Sequence, residues 1–353
     1  MIAASAPDRQ QQPAVPTPPP SADLPQRRWQ RELAEAITRP DELLRLLDLD
    51  PRLAVSAVAA AGVFRLRVPR SFVRRMRRGD LHDPLLRQVL PLADELESPP
   101  HYVADPLAEA AAVAAPALLQ KYRGRALIIA TGACGVHCRY CFRREFPYSA
   151  QTTDNPRLGA AIAAIAADSS ISEVLLSGGD PLSLSDERLQ QLTLQLVAIP
   201  HVERIRVHTR QPVVLPSRVD AGLLHWIAGV TKPLVFVLHS NHAQEIDAEV
   251  RAALQQLRHA GVTLLNQSVL LAGVNDSVPA LAALSQTLFS AGVLPYYLHL
   301  LDPVRGAAHF DVEQAHAARL VGELATLLPG YLVPRLVREV PGMPAKVPVA
   351  PRL

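Results

Sequence analysis

The sequence predicts an α/β protein: a partial, TIM-like (β/α)6 barrel preceded by a helical extension. Six short apolar runs alternate with six amphipathic segments from residue 126 onward. Near-continuous apolar strands separated by helices are typical of a parallel sheet that is buried on both faces. Six such units are fewer than the eight of a complete barrel, and a doubly wound sheet is the alternative.

The predicted strands and helices alternate regularly along the chain. The strands are expected at residues 126–130, 173–176, 204–207, 234–238, 262–266 and 294–299. The helices are expected near residues 156–167, 186–198, 217–228, 245–260, 278–291 and 312–327. In either fold, ligands bind at the carboxyl ends of the strands, so the residues that follow each strand are candidates for a site.

The rest of the chain divides into three parts. Residues 1–25 contain seven prolines and little apolar periodicity, which predicts a disordered or polyproline-like tail. Residues 26–120 are predicted to be helical because apolar residues recur three and four positions apart. We expect the barrel over residues 121–330 and a C-terminal segment over residues 331–353.

Charge and hydropathy exclude several classes of protein. A formal net charge of +3 gives no reason to expect direct nucleic-acid binding. The sequence has no run of about 18 apolar residues, so no membrane-spanning helix is predicted. Its N-terminus lacks the charged and apolar regions of a secretory signal peptide. We therefore expect a cytoplasmic protein without a membrane partner.

An arginine-rich segment, residues 65–78, holds seven arginines in fourteen residues. One interpretation is a docking face for an acidic protein or RNA. The other is a solvated helix face whose apolar residues Phe72, Val73 and Met76 turn inward.

All three cysteines of the chain lie in one C-x3-C-x2-C run, at Cys134, Cys138 and Cys141. Their odd number and close spacing exclude a disulfide framework, and no fourth thiol completes a tetrahedral zinc site. Three soft ligands suit a [4Fe–4S] cluster whose fourth iron keeps an open position. A structural zinc site completed by His137 is the alternative. Clustered thiols without a disulfide pattern also favour the reducing cytoplasm.

Polar clusters follow each of the six predicted strands. They are the cysteine run and the segments 177–180 (Ser-Gly-Gly-Asp), 208–210 (His-Thr-Arg), 239–242 (His-Ser-Asn-His), 266–268 (Asn-Gln-Ser) and 299–302 (His-Leu-Leu-Asp). Because parallel strands end at the same edge of a sheet, we expect all six clusters to meet at one mouth.

The chain resembles the radical S-adenosylmethionine (SAM) superfamily in its cysteine run, with Tyr140 before the third cysteine, and in the Gly-Gly-Asp after the second strand. Three blocks are similar to lysine 2,3-aminomutases: Cys-Arg-Tyr-Cys-Phe-Arg-Arg at 138–144, Leu-Leu-Ser-Gly-Gly-Asp-Pro-Leu at 175–182 and Asn-Gln-Ser-Val-Leu-Leu-Ala-Gly-Val-Asn-Asp at 266–276. The Arg-Val-Pro-Arg-Ser-Phe block at 67–72 resembles the branch that supplies (R)-β-lysine for modifying elongation factor P. The resemblance implies a radical SAM partial barrel over residues 121–330.

The resemblance assigns one group of residues to the cluster and SAM. The three cysteines would hold three irons, and SAM would chelate the fourth. Gly178 and Gly179 would let the backbone approach the methionyl group of SAM, which a β-carbon would obstruct. His239 and Gln267 match positions that contact SAM, and Asp180 would orient the loop.

A second group of residues is assigned to pyridoxal 5′-phosphate (PLP). Lys346 matches the lysine that carries PLP as a Schiff base, although Met343, Pro344 and Ala345 replace the glycines that usually precede it. Such a lysine needs a depressed pKa. Tyr122 and Arg125 match residues that pack on PLP and bind its phosphate, whereas Lys121 stands where the family often has arginine.

Three charged residues are assigned to the substrate. Arg143 matches the arginine that binds the substrate carboxylate, which a guanidinium does bidentately. Asp302 and Glu339 match the two carboxylates that hold the substrate ε-ammonium, Glu339 replacing an aspartate. Two buried carboxylates require a cation between them, which favours L-lysine over glutamate as substrate.

The implied protein is an isomerase that uses a [4Fe–4S] cluster, SAM and PLP to convert L-lysine to β-lysine. The resemblance further implies an electron donor, and a functional link to elongation factor P and its lysyl-transferring enzyme. The alternatives are a 2,3-aminomutase acting on glutamate or another amino acid, and a non-enzymatic metal-cluster protein that docks through its arginines.

Overall fold

A ten-stranded sheet, whose strands lie side by side in sequence order, forms the centre of the fold. The computed structural model describes residues 27–148 and 155–352, so the predicted tail, residues 1–25, lies outside the described residues. The strands are β1 (Val113–Ala115), β2 (Leu118–Tyr122), β3 (Arg125–Thr131), β4 (Glu173–Gly178), β5 (Arg204–Thr209), β6 (Leu234–Leu238), β7 (Thr263–Val269), β8 (Leu294–His299), β9 (Arg335–Arg338) and β10 (Val347–Pro348).

The sheet is an open barrel. Seven consecutive strands, β3 to β9, run parallel, while β1, β2 and β10 pair antiparallel at the two ends. The strand order never reverses, which excludes the doubly wound alternative. Within the described residues β1 and β10 do not pair with each other, so the barrel is partial and the predicted fold class is confirmed.

In residues 27–148 and 155–352, twelve helices precede the strands or alternate with them. They are α1 (Arg28–Ala34), α2 (Pro40–Leu46), α3 (Ala54–Val63), α4 (Arg70–Val73), α5 (Pro84–Arg87), α6 (Asn155–Ala167), α7 (Asp186–Val197), α8 (Gln211–Val214), α9 (Ala221–Gly229), α10 (Ala248–His259), α11 (Val278–Ser290) and α12 (Gln314–Leu327). Side chains of Ser185, Asp220, Asp247 and Ser277 accept backbone N–H groups at the starts of α7, α9, α10 and α11. No helix in the part of the chain that the structure describes is long and apolar enough to cross a membrane.

The two faces of the sheet differ in chemistry because successive side chains of a strand point to opposite sides. The outward side chains of β3 to β6 join helices α6 to α11 in the largest hydrophobic cluster: Ala126, Ile128, Val174, Leu176, Ile205, Val207, Phe236 and Leu238. The inward face mixes polar side chains, Arg206 and His208 on β5, Gln267 on β7 and His299 on β8, with apolar ones such as Leu127 on β3 and Leu175 on β4. The predicted burial of apolar side chains holds throughout the outer face, and on the inner face it holds at positions such as Ile129 and Val237, which are fully buried.

The N-terminal helices form a second core that supports the cysteine loop. Trp29, Leu43, Phe72 and Leu86 pack there together with Val136, which lies between the first two cysteines. Apolar burial of this kind is the main source of stability for such short helices, which are marginal on their own.

The arginine-rich segment is largely paired within the protein. Phe72, Val73 and Met76 are buried, as the interpretation of a solvated helix face predicts. Arg75 is also buried, and its guanidinium donates to the backbone carbonyls of Val213 and Glu245. The other arginine pairs are Arg70 with Glu42, Arg74 with Glu249, Arg77 with Asp80 and Arg78 with Asp48.

The structure differs from the helical prediction over residues 26–120 at its C-terminal end. Strands β1 and β2 lie there, and they form an antiparallel hairpin on the edge of β3. The alanine-rich sequence favours helix, but Pro116 interrupts it and Ala117 turns with φ +63°. Strand β9 is likewise an addition to the six predicted strands, and it pairs parallel to β8.

Candidate active site

A cavity of about 440 Å³ lies at the carboxyl ends of the parallel strands. The residues that the sequence predicts to form the site all lie on its wall: Tyr122, Arg125, Cys134, Cys138, Cys141, Arg143, Gly178, Gly179, His239, Gln267, Asp302, Glu339 and Lys346. Each of the six strand-end clusters contributes to this wall, as expected for a parallel barrel. The individual roles of these residues stay predictions.

The cysteine loop follows β3 and is held in place by backbone and buried polar contacts. His137 N donates to Arg67 O at 2.9 Å, and Arg139 N donates to Gln88 O at 2.9 Å. The Arg139 guanidinium is buried against Glu95, with Nε 2.7 Å from Oε1. The N-terminal region therefore holds the loop in place.

The three thiols fit an iron–sulfur cluster better than a zinc ion. Across residues 27–148 and 155–352, no three His, Cys, Asp or Glu side chains converge to hold one metal ion. A cluster does not need that convergence, because each thiolate binds a separate iron. His137 Nδ1 lies 2.8 Å from Arg65 O, and within the described ranges its ring does not join the thiols in a group that could hold one metal ion.

The buried thiols need nearby positive charge if they are to ionise to thiolates. Burial is the main cause that raises the pKa of Cys134 well above its usual value and the pKa of Cys141 to about 11. Iron ions would offset this cost because thiolates bind them directly. Arg210 adds a buried cation, with Nη1 2.8 Å from Cys138 Sγ.

The glycine turn after β4 packs tightly on the cysteine loop. Gly178 has φ +107°, and a β-carbon there would lie 2.8 Å from Thr131 O. A β-carbon on Gly179 would collide with Ala133 O. Both glycines are therefore required by this backbone contact, and their predicted approach to SAM is a separate expectation.

Asp180 organises the same turn, as the sequence predicts. Its carboxylate accepts hydrogen bonds from Leu182 N, Thr209 Oγ1, Arg210 N and Gln211 N at 2.7–3.0 Å. These bonds join the ends of β4 and β5 and fully occupy the carboxylate, so Asp180 is a structural residue.

Three histidines line the cavity at the ends of β5, β6 and β8: His299 is buried, and His208 and His239 are half-buried. Among the described residues, none of their Nε2 atoms has a hydrogen-bond partner. Burial lowers the pKa of all three imidazoles, that of His239 to about 3. The site therefore presents neutral imidazoles with unsatisfied nitrogens, which suits a polar ligand such as SAM or PLP.

A chain of alternating charges crosses the other side of the cavity. Lys346 Nζ lies 2.7 Å from Glu339 Oε2, and Lys121 Nζ lies 3.0 Å from Glu339 Oε1. Lys121 Nζ is also 3.0 Å from Glu109 Oε1, and Glu109 pairs with Arg143. Burial opposes ionisation of Glu339, but Lys346 and Lys121 lower its pKa to about 2.

Asp302 lies beside this chain of charges and is half-buried. Burial and then the Glu339 carboxylate raise the pKa of Asp302 to about 7, although Lys346 and Lys121 act in the opposite direction. A second cation placed near Asp302 would favour its ionised form. The pair Asp302 and Glu339 can therefore accept an ammonium group.

Aromatic rings surround the lysine end of the cavity. Lys346 Nζ lies 5.8 Å from the centre of the Tyr297 ring, and the Arg125 guanidinium lies 5.0 Å from that of Tyr122. Burial and Glu339 raise the pKa of Tyr122, so its hydroxyl stays protonated. Together these groups offer ring faces and a cation, which suits a phosphorylated aromatic cofactor such as PLP.

Sequence reasoning missed two residues of the site. Arg210 stands in the predicted 208–210 cluster, but only the structure shows that its guanidinium reaches Cys138 and Glu245. Glu109 lies in a segment interpreted as helical, where a lone acidic residue follows no strand and gives no signal. Lys121, which departs from the family pattern, proves to be the cation between Glu109 and Glu339.

Comparisons with known proteins identify the family. No protein-family model matches the chain. L-lysine 2,3-aminomutase of Escherichia coli (strain K12) is 49% identical over 322 residues, which are 91% of this chain and 94% of that protein. L-lysine 2,3-aminomutase of Clostridium subterminale is 34% identical over 326 residues, 92% of this chain and 78% of that protein. A solved radical SAM methyltransferase from Sphaerobacter thermophilus matches with a TM-score of 0.43 and 19% identity, over 63% of this chain and 68% of that one. The resemblance seen in the sequence is thereby confirmed, and the chain belongs to the L-lysine 2,3-aminomutase family of isomerases.

Proposed function

We propose that this protein is a radical 2,3-aminomutase that converts L-lysine to β-lysine with a [4Fe–4S] cluster, SAM and PLP. One observation carries the proposal. The three cysteines lie on the wall of the same cavity as Lys346 and the carboxylates of Asp302 and Glu339. One cavity thus holds thiols for an iron–sulfur cluster, an amine for PLP and two acids for the substrate. A reaction in which the SAM-derived radical and PLP act on one substrate requires such an arrangement.

The residues divide between the cofactors by position. Cys134, Cys138 and Cys141 would hold the cluster, and His239 and Gln267 would contact SAM. Lys346, Tyr122 and Arg125 would hold PLP. When bound, the cluster and SAM supply a carbon-centred radical, and PLP supplies the conjugated ring that stabilises a radical on the substrate. The chain itself binds these groups, orients them and excludes water.

The charges of the cavity support L-lysine as the substrate. Asp302 and Glu339 provide two carboxylates at one end, which suit an ammonium group. Arg143 provides a buried guanidinium for the α-carboxylate at the other end. Glutamate would place its side-chain carboxylate against two acids, so this substrate is disfavoured. The names of the relatives in Escherichia coli and Clostridium subterminale agree with lysine.

The wider role follows from the resemblance of residues 67–72 to the branch that serves elongation factor P. We propose that the product is (R)-β-lysine, that elongation factor P receives it through a lysyl-transferring enzyme, and that the protein works in the cytoplasm with an electron donor.

An anaerobic assay with reconstituted protein tests the proposal. Protein, SAM, PLP, dithionite and labelled L-lysine are incubated, and amino acids are separated by chiral chromatography, with glutamate tested in parallel. We expect β-lysine, chiefly the R enantiomer, and no β-glutamate. Formation of no β-lysine by protein that contains iron and PLP would contradict the proposal.

Two variants assign the cofactors separately. Lys346→Ala should lose the PLP absorption band and turnover while keeping its iron, because the cluster residues are untouched. Cys138→Ala should lose iron and keep PLP. A Lys346→Ala protein with normal turnover would exclude the PLP assignment, and an unchanged iron content in Cys138→Ala would exclude the cluster assignment.

A further inference from the structure

Glu109 is a buried acid on the wall of the cavity, and it lies far from the strand-end clusters in sequence. Its side chain is 2% exposed. Asp105 Oδ1 accepts the Glu109 backbone N–H at 2.9 Å and fixes the start of the turn Glu109–Ala112. The carboxylate therefore projects from a backbone that is itself held in place.

The Glu109 carboxylate forms a two-point ion pair with Arg143. Arg143 Nε donates to Oε2 at 2.6 Å, and Arg143 Nη2 donates to Oε1 at 2.8 Å. Such a parallel pair of charge-assisted bonds fixes the plane of a guanidinium as well as its position. Arg143 is predicted to bind a carboxylate bidentately, and its Nε–Nη2 edge already binds the carboxylate of Glu109 in this way.

One edge of the Arg143 guanidinium is left for a ligand. A guanidinium has five N–H donors, and Glu109 uses two of them on the Nε–Nη2 side. The end formed by Nη1 and Nη2 has weaker partners, Ser177 Oγ at 3.1 Å and Gly178 O at 3.4 Å from Nη1. A carboxylate can therefore bind end-on by replacing these weaker contacts, without displacing Glu109.

The local charge balance still attracts an anion. Lys121 Nζ lies 3.0 Å from Glu109 Oε1, so one carboxylate is shared by two cations. The chain Arg143–Glu109–Lys121–Glu339–Lys346 has three cations and two anions, a net charge of +1. Burial opposes ionisation of Glu109, but Arg143 and Lys121 hold its pKa below the usual range, and the carboxylate stays charged.

We infer that Glu109 is a positioning residue that sets the plane of Arg143, so that its free edge receives the α-carboxylate of the substrate. This inference rests on the proposed function, because it assumes an amino acid in the cavity. Glu109 itself does not touch the substrate. Its effect must therefore pass through Arg143 and must appear only with ligands that carry an α-carboxylate.

Equilibrium binding to the Glu109→Gln protein tests this inference. The carboxamide keeps the size of the side chain but replaces one acceptor by an N–H₂ group, which cannot face an arginine N–H. Binding of L-lysine and of cadaverine, which lacks the carboxylate, is followed through the PLP absorption band without reductant. We expect lysine to bind about tenfold more weakly or worse, and cadaverine to keep its affinity within about twofold.

A double-mutant cycle shows whether the effect passes through Arg143. Once Arg143→Lys has removed the guanidinium, adding Glu109→Gln should change lysine affinity by no more than about twofold. Glu97→Gln, an exposed glutamate in the same region, is the control and should bind both ligands normally. Glu109→Asp serves as a second variant should Glu109→Gln fail to fold, because it keeps the charge but shortens the reach.

The outcomes separate the inference from the proposed function. Equal weakening of lysine and cadaverine, additive effects in the cycle, or unchanged lysine affinity in Glu109→Gln would each overturn the positioning role. A wild-type protein that neither binds nor converts lysine would overturn the proposed function instead, whatever the variants do.

Discussion

Asp302 and Glu339 illustrate how one cavity gives two carboxylates opposite ionisation behaviour. Lys346 and Lys121 lie within 3.0 Å of Glu339 and keep its pKa at about 2. Burial and the negative charge of Glu339 raise the pKa of Asp302 to about 7. Glu339 is therefore ionised throughout the neutral range, whereas Asp302 changes its charge within it.

This difference predicts a pH dependence of substrate binding. The ε-ammonium of lysine, with a pKa of about 10.4, stays charged, so only Asp302 changes. A raised pKa means that Asp302 becomes neutral as pH falls below about 7, and the acid pair then loses one charge. We expect the KM for lysine to rise up to about tenfold per pH unit on the acid side.

The Asp302→Asn variant checks the assignment of this pH dependence. Its KM for lysine should be high at pH 8 and should vary little between pH 6 and 8, because the titrating group is gone. Steady-state KM values measured across this range show whether Asp302 is the titrating group. The same acid-side slope in Asp302→Asn as in wild type would assign the titration to another group.

The residues of the site differ in how far their sequence context reveals them. Cys134, Gly178 and Asp302 follow predicted strands, so the rule for parallel barrels places them at the mouth. Glu109 precedes a hairpin that is absent from the pattern of six units, and its role depends on a contact with Arg143 across 34 positions. Such long-range ion pairs leave no periodic signal in one sequence.

At the level of elements, the contact between the end of β4 and the cysteine loop limits what residue 179 can be. A β-carbon there would collide with Ala133 O, a backbone atom that cannot move aside without shifting the loop. We therefore expect Gly179→Ala to lower the iron content of reconstituted protein severalfold. Iron and sulfide analysis measures this effect.

A matched glycine serves as the control for that substitution. Gly159 lies on α6, and apart from its own turn of helix no atom lies within 4 Å of the position that a β-carbon would take there. Gly159→Ala should keep full iron content and raise the free energy of unfolding by about 0.5–1 kcal/mol, because alanine favours helix. Normal iron content in Gly179→Ala would show that the loop tolerates the shift.

The turn Ala93–Leu96 is joined to the cysteine loop by a buried cluster of one acid and two arginines. Glu95, Arg139 and Arg144 have side chains no more than 1% exposed. Glu95→Ala would leave two buried guanidinium groups without their carboxylate, which costs about 3–5 kcal/mol. Urea denaturation should show this loss, while the exposed Glu97→Ala should stay within about 0.5 kcal/mol of wild type.

The helices between the strands and the parallel strands β3 to β8 were accessible from the sequence because apolar spacing determines them directly. The hairpin of β1 and β2 was not, since its alanine-rich sequence favours helix and only pairing with β3 makes it a strand. Strand β9 has four residues, and the short strand β10 has two, so neither presents enough alternation to be recognised.

On the scale of the whole molecule, the C-terminal segment connects the last strands of the sheet, β9 and β10, to the cavity. Glu339 directly follows β9, and Lys346 directly precedes β10, so one hairpin carries both residues. After β10 the chain runs onto α12, where Arg352 N donates to Ala318 O at 2.9 Å. The position of Lys346 therefore depends on a contact made six residues later.

Gly322 on α12 makes this dependence testable. A β-carbon at Gly322 would collide with the backbone carbonyl of Arg352. Alanine there should push the C-terminal segment off the helix, at a cost of about 1–3 kcal/mol for overpacking. We expect Gly322→Ala to bind PLP several-fold more weakly than wild type while keeping its full iron content, because the C-terminal segment carries Lys346 and not the cysteines.

PLP titration followed by absorbance, with iron analysis of the same samples, measures both effects. Gly62→Ala, on α3 with no atom within 4 Å of the new carbon, is the matched control and should leave both unchanged. Equal PLP affinity in Gly322→Ala and wild type would show that the hairpin holds Lys346 without help from the terminal segment. Loss of iron together with PLP would instead indicate that the cysteine loop also depends on the C-terminal segment.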